Sequence, residues 1–128
     1  MAVITKRIHV NSKGNSDMID ITEEVASFVS ESKVKDGIVT IFVSGSTASV
    51  STVEYEPGLL KDIPRALDKI APYGQNYAHH ETWHDDNGAS HVRSTLVDAS
   101  WLMSLSMHPS YSILQSIFIH NLDKIIRK

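Results

Sequence analysis

Gly37-Ile-Val-Thr-Ile-Phe-Val43 is an almost unbroken run of β-branched and aromatic residues. Side chains of that kind pack well on a pleated surface, so the run reads as a strand. Its lack of apolar–polar alternation predicts a central strand buried on both faces. Ser44-Gly45-Ser46-Thr47-Ala48 breaks it, and residues 49–55 resume as a second strand through Val50 and Val53.

The flanking elements are shorter. Ile4, Ile8 and Val10 carry a strand period across residues 3–10. Residues 11–16, with Gly14, form a turn, and residues 18–21 a short strand. Thr22 reads as a helix N-cap, with Glu23 and Glu24 where carboxylates suit the helix dipole. Val25, Phe28 and Val29 give that helix its buried stripe, and it should stop between Lys33 and Gly37. Pro57 and Gly58 precede an amphipathic helix over residues 59–70, which Pro64 should kink or split. Residues 72–88 read as loop. Residues 89–99 read as a short helix with Val92, Leu96 and Ala99 on one face, followed by strands over 101–107 and 113–119; Ile125-Ile126 closes the chain. The fold class is therefore α+β, with mixed or antiparallel sheets and a few short helices, in one domain over residues 1–128.

Seven histidines matter more to function than the overall balance of charge. The net charge is −3, and the basic residues are scattered, which gives no footprint for nucleic acid. There are no cysteines, so disulfides, thiolate metal sites and cysteine nucleophiles are excluded. No apolar run approaches the roughly 18 residues of a membrane span. The start of the chain does not have the order of a signal peptide, and the expectation is a cytoplasmic protein.

His79, His80, His84 and His91 fall within thirteen residues, beside Glu81, Asp85, Asp86 and Asn87. Imidazole titrates near neutral pH and is the commonest metal ligand, so this segment either binds a divalent metal or moves a proton. A solvated polar loop with one or two hydrogen-bonded histidines is the plain alternative. His80-Glu-Thr-Trp-His84 matches the H-E-x-x-H pattern of zinc proteases. That chemistry needs both imidazoles on one helical face. The segment has no helical apolar stripe, and Asp85-Asp86-Asn87-Gly88 is turn chemistry, so the match is read as chance.

Four further features bear on a site. The small hydroxyl residues at 44–48 can bring backbone N–H and side-chain OH groups onto an anion, or can simply form a bulge. Glu54 and Glu56 flank Tyr55 on a strand, where one could act as a general base or both could face solvent. Gln115 sits in an apolar run, where a buried amide must find partners. Trp83 and Trp101 are read as packing residues.

Taken together, Gly45-Ser-Thr-Ala48, Glu54-Tyr-Glu56-Pro-Gly58, Asp62, Tyr77-x-His79, Asp85-Asp-Asn-Gly-x-x-His91, and Gln115 with Ile-Phe-Ile and Asp123 resemble the YjbQ-like family. The resemblance runs nearly end to end. The chain departs from the family pattern at three places. Gly45 stands where many members have histidine. Ser112 and Leu114 replace a glycine and a tryptophan before Gln115. Asp98 replaces a glycine before Ala99-Ser100. The resemblance implies an α+β sandwich, a homotrimer with polar pockets near the subunit contacts, and a weak thiamine-phosphate synthase (transferase) activity.

On these grounds His91, His79 and Glu54 are the expected catalytic residues. Ser46, Thr47, Asp86, Asn87 and Gln115 are the expected ligand-binding residues, and His79, His84 and His91 the expected metal ligands. The cofactor would be a divalent zinc, nickel, manganese or magnesium ion, with no organic group. The ligand would be a small polar or phosphorylated molecule. The alternative is a non-catalytic trimer that binds a metal or small molecule through the same residues.

Overall fold

Residues 3–106 and 116–121 are described by the structure, a computed structural model. Their elements follow the order β1 (Asp17–Asp20), α1 (Thr22–Ser32), β2 (Asp36–Phe42), β3 (Ala48–Val53), α2 (Leu59–Ile70), α3 (Ala78–Trp83), α4 (Gly88–Val97), β4 (Ser100–Ser106) and β5 (Ser116–Asn121). The class is α+β, as the sequence implies. One sheet has the order β1-β5-β3, and β2 pairs with β4 in a second. All three pairings are antiparallel.

Strand β5 is thus the central strand of the larger sheet, with Ile119 facing both Ile19 of β1 and Val50 of β3 in register. The core forms where α1 lies against these strands. Ile21, Val25, Val43 and Val50 are buried together, with Ile8, Ile19, Val29, Ile41 and Ala48 packed around them. Burying a side chain of this size contributes roughly 1.5–3 kcal/mol.

Helix α1 starts one step away from the expected cap. Asp20 does the capping, accepting from both the backbone N–H and the hydroxyl of Thr22. The helix ends at Lys33, which turns left-handed at φ 56°. Helix α2 is opened by Glu56, whose carboxylate accepts the backbone N–H groups of Gly58 and Leu59. That helix runs through Pro64 as one continuous element and does not split into two, one of the two outcomes expected of the proline. Its two ends are anchored, by the Glu56 cap and by buried Leu67 and Ala71, and this outweighs the one backbone hydrogen bond that proline removes.

Three other expectations are corrected. Residues 3–10 form no strand, because Val3, Ile4 and Val10 are exposed and only Ile8 reaches the core. Strand β2 is not buried on both faces. Ile38 and Phe42 are about 70% exposed (69% and 70%), whereas Ile41 packs inward. With β4 as its partner in a two-stranded sheet, β2 has one face on the core and one turned out. Helix α4 also buries the face opposite to the expected one. Val92 and Leu96 are exposed, whereas Ala89, Ser90, Arg93 and Ser94 are buried.

Arg93 explains that reversal. Its guanidinium is wholly buried, and each of its three nitrogens donates a hydrogen bond: Nε to the Ala71 carbonyl at 2.8 Å, Nη1 to Ser16 Oγ at 3.0 Å, and Nη2 to Asp68 Oδ1 at 2.6 Å. Tyr73 stacks against it, with the ring centroid 3.9 Å from Cζ. Ser94 donates to the Ala48 carbonyl at 2.7 Å. A buried cation must be paired and hydrogen-bonded, so these partners fix the rotation of α4 about its axis. That rotation decides where His91 points. Among the described residues, no helix is long and apolar enough to cross a membrane.

Candidate functional site

The segment expected to be loop contains helix α3, six residues from Ala78 to Trp83. Tyr77 holds its start. The Tyr77 hydroxyl donates to the Pro72 carbonyl at 2.9 Å, and its side chain lies directly against Gly88. His84 ends the helix in the left-handed region at φ 57°. Four residues later the chain enters α4, where the Asn87 carbonyl accepts the N–H groups of Ser90 and His91. Two short helices therefore bring the histidines together, although α3 has no apolar stripe and the Val92–Leu96 stripe of α4 faces outward.

The four imidazoles sort into two pairs. His79 and His91 approach to 4.4 Å between ring centroids, tilted by 51°. His80 and His84 stand edge-on at 6.3 Å. His84 is thus grouped with His80, away from the pair it was expected to join as a metal ligand. His80 Nδ1 contacts the Asp85 carbonyl at 3.0 Å. The H-E-x-x-H residues do lie on helical backbone and its cap, but one of their rings is already occupied.

His79 Nε2 lies 3.3 Å from Asp85 Oδ1. The two attract when His79 is protonated, yet they are not aligned for a hydrogen bond. His79 Nε2, Asp85 Oδ1 and Asn87 Oδ1 are all buried atoms without a hydrogen-bond partner among the described residues. Buried polar atoms left this way are uncommon, and each needs an explanation.

Two cavities flank the histidines. The first, about 230 Å³, is lined by residues 74–77 with His80, Asp85, Asp86 and Gly88. The second, about 320 Å³, is lined by Gly45, Ser46, His91, Ser94, Thr95, Asp98 and Ala99. His91 faces the second cavity, and Asp85 faces the first. The His79–His91 contact, with Asp85 beside His79, links the two.

Of the residues expected to form a site, His79, His91, Asn87, Asp86 and Ser46 are gathered here. Thr47 is half-buried next to Ser46 but lines neither cavity. Glu54 is exposed just past β3 and lines neither cavity. Gln115 lies outside the described residues, as do Ser112 and Leu114. Among the described residues, neither lining set includes a lysine or arginine. Among the described residues, no three His, Asp or Glu side chains are grouped to hold a metal ion.

Asp98, Ser94 and Thr95 line the second cavity without having been expected there. Asp98 left a trace in the sequence, as the residue standing where the family pattern has glycine. Ser94 and Thr95 left none, because the helix rotation that turns them inward is set by Arg93.

A family model described as "UPF0047 protein YjbQ-like" matches residues 6–128. A UPF0047 protein of Methanothermobacter thermautotrophicus is 30% identical over 124 residues, covering 96% of this chain and 85% of its own. The UPF0047 protein YugU of Bacillus subtilis is 30% identical over 96 residues, covering 74% of this chain and 70% of its own. A crystal structure from Sulfolobus solfataricus, described as a YbjQ-like protein of unknown function, superimposes with a TM-score of 0.82 at 30% identity, covering 91% of this chain and 84% of that one. A yjbq/upf0047 family protein from Clostridium acetobutylicum superimposes with a TM-score of 0.78 at 27% identity, covering 90% of this chain and 88% of that one.

Proposed function

The chain belongs to the YjbQ-like UPF0047 family, and from that premise we propose that it is a small enzyme that binds a polar metabolite across the two linked cavities. His79 and His91 exchange a proton with the ligand. The observation that carries this reading is the set of buried, unpartnered atoms on His79, Asp85 and Asn87. Bound substrate groups supply the partners they lack. Asp85 holds the charge that forms when His79 takes up a proton, which keeps a general base and its conjugate acid in one place. Asn87 fixes the start of α4 and with it the position of His91.

A divalent cation is the second reading, favoured by the 3.3 Å spacing of His79 Nε2 and Asp85 Oδ1. Two ligands each roughly 2.1 Å from a tetrahedral zinc stand about 3.4 Å apart. His79, Asp85 and Asn87 would hold such an ion, which would neutralise an anionic leaving group. This matters most for thiamine-phosphate synthase chemistry, because among the described residues no lysine or arginine lines either cavity to take on a diphosphate. The homotrimer implied by the family pattern has its support in the outward face of β2 and β4, where Ile38, Phe42 and Leu102 are exposed together.

The test is turnover of mixed metabolites and thiamine precursors, followed by phosphorus NMR and mass spectrometry, with wild type, His79→Gln and His91→Ala. Loss of a wild-type conversion in both variants, with unchanged melting curves, supports catalysis. Saturable binding without conversion supports the non-catalytic alternative. Wild-type rates in both variants would sink the assignment. Elemental mass spectrometry of the same proteins reads the metal: one ion per chain, lost in His79→Gln, favours the second reading.

A further inference from the structure

Asp98 holds a backbone conformation that side chains rarely tolerate, with φ 81° and ψ 151°. That corner of backbone space is close to glycine-only, so any other residue there is strained. The surrounding structure leaves the backbone little choice. The Asp98 carbonyl accepts from Val50 N–H at 3.1 Å, and the Ala99 carbonyl accepts from Val43 N–H at 2.9 Å. The chain leaving α4 must therefore turn sharply while serving the ends of β2 and β3. Glycine would make that turn without strain. In return for the strain, the cavity gains a carboxylate.

The chemistry of the cavity wall says what that carboxylate is suited to. The Ser94 hydroxyl donates its proton to the Ala48 carbonyl. The Thr95 hydroxyl donates its proton to the His91 carbonyl at 2.9 Å. Both oxygens keep lone pairs but no free proton. Asp98 Oδ1 accepts from Ala99 N–H at 2.6 Å, and its other carboxylate oxygen adds acceptor capacity. Among the described residues, no lysine or arginine lines this space. Among the described lining side chains the Ser46 hydroxyl and the His91 ring can still donate, whereas Ser94, Thr95 and Asp98 offer acceptor oxygens and one negative charge.

We propose that the cavity of Ser46, His91, Ser94, Thr95 and Asp98 binds the protonated amine end of a small ligand, and that Asp98 is the residue that sets this preference. The proposal deepens the reading of the paired cavities as a ligand pocket and rests on it. An ammonium group offers up to three donors to the Asp98 carboxylate and the two hydroxyl oxygens. A phosphate would meet a like charge and two spent hydroxyls there. A neutral polyol could satisfy the oxygens but would forgo the charge.

Ethanolamine, glycerol and inorganic phosphate, titrated separately, distinguish these cases by NMR of the His91 ring and the Ser46 and Thr95 amides. Ethanolamine should shift these signals saturably, and the other two should not. Asp98→Asn keeps an acceptor for Ala99 and removes the charge, so ethanolamine affinity should fall roughly tenfold or more. Asp98→Gly should raise the melting temperature by several degrees, because it relieves the backbone, and should also lose ethanolamine binding. That pairing separates a stable, unresponsive protein from an unfolded one. Phosphate shifting these signals more strongly than ethanolamine overturns the amine assignment and leaves the pocket reading intact. Undiminished ethanolamine affinity in Asp98→Asn does the same. No response to any of the three probes overturns both.

Discussion

The guanidinium of Arg93 is completely buried, yet the carboxylate it meets at 2.6 Å, on Asp68, is 58% exposed. The two partners therefore contribute very differently. Removing Arg93 empties a buried volume and strands the Ala71 carbonyl and Ser16 hydroxyl. Arg93→Ala should cost roughly 2–4 kcal/mol. Asp68→Ala leaves the other two bonds and the Tyr73 ring in place, and water can reach the exposed edge, so about 1 kcal/mol is expected. Urea denaturation of both variants gives the order. A larger loss for Asp68→Ala would mean that charge pairing, not hydrogen bonding and packing, holds α4.

Glu56 carries a pH dependence. Backbone N–H groups of Gly58 and Leu59 hold its carboxyl below the ordinary glutamate value of 4.5. The folded state therefore prefers the charged form. Its stabilising effect is present above that ordinary value and is lost as pH falls through the lower folded one. Glu56→Gln should have a lower urea midpoint than wild type at neutral pH, and the gap should close in acid below 4.5. A gap that stays constant with pH would show that the cap works without its charge.

Gly88 has no room for a side chain. A Cβ there would lie 2.6 Å from Tyr77 Cβ and 2.8 Å from its Cγ. Atoms so close to the backbone of Tyr77 cannot swing aside. Gly88→Ala should cost about 1–3 kcal/mol and also break the Tyr77 hydroxyl contact to Pro72. The tyrosine's aromatic ring signals in NMR should move with it. An unchanged spectrum and melting curve would contradict this packing.

The outward apolar face of β2 and β4 is where the proposed homotrimer is tested. Phe42 and Leu102 are 70% and 66% exposed, and Leu102 lies opposite Thr40 in register. Phe42→Lys with Leu102→Lys should reduce the sedimentation mass toward that of one chain, leaving far-ultraviolet circular dichroism intact. A multiple-chain mass in the double variant places the contact elsewhere.

The sequence made the class, most element positions and the neighbourhood of the site legible, because those depend on local pattern. The Met18 strand, the Val25 helix and the Val50 strand came through for that reason. What it hid depends on tertiary choice. Pattern alone placed Val92 and Leu96 inside, but one buried arginine turned their helix over. The run from Gly37 to Val43 looked suited to burial on both sides, and only its pairing partner shows that one face is free. The histidine segment looked like loop because helix α3 is held by Tyr77 at one end and a left-handed His84 at the other, neither of which leaves an apolar period.

His91 and Arg93 are two residues apart on α4, so their side chains leave the helix roughly 200° apart. One side is locked by guanidinium bonds to α2 and to the turn before β1; the other looks into open space. Substitutions on the open side, at Thr95 or just beyond at Asp98, can therefore change the cavity wall without breaking the bonds that hold the helix. The architecture and the chemistry of the cavity wall are thus set by different faces of one helix.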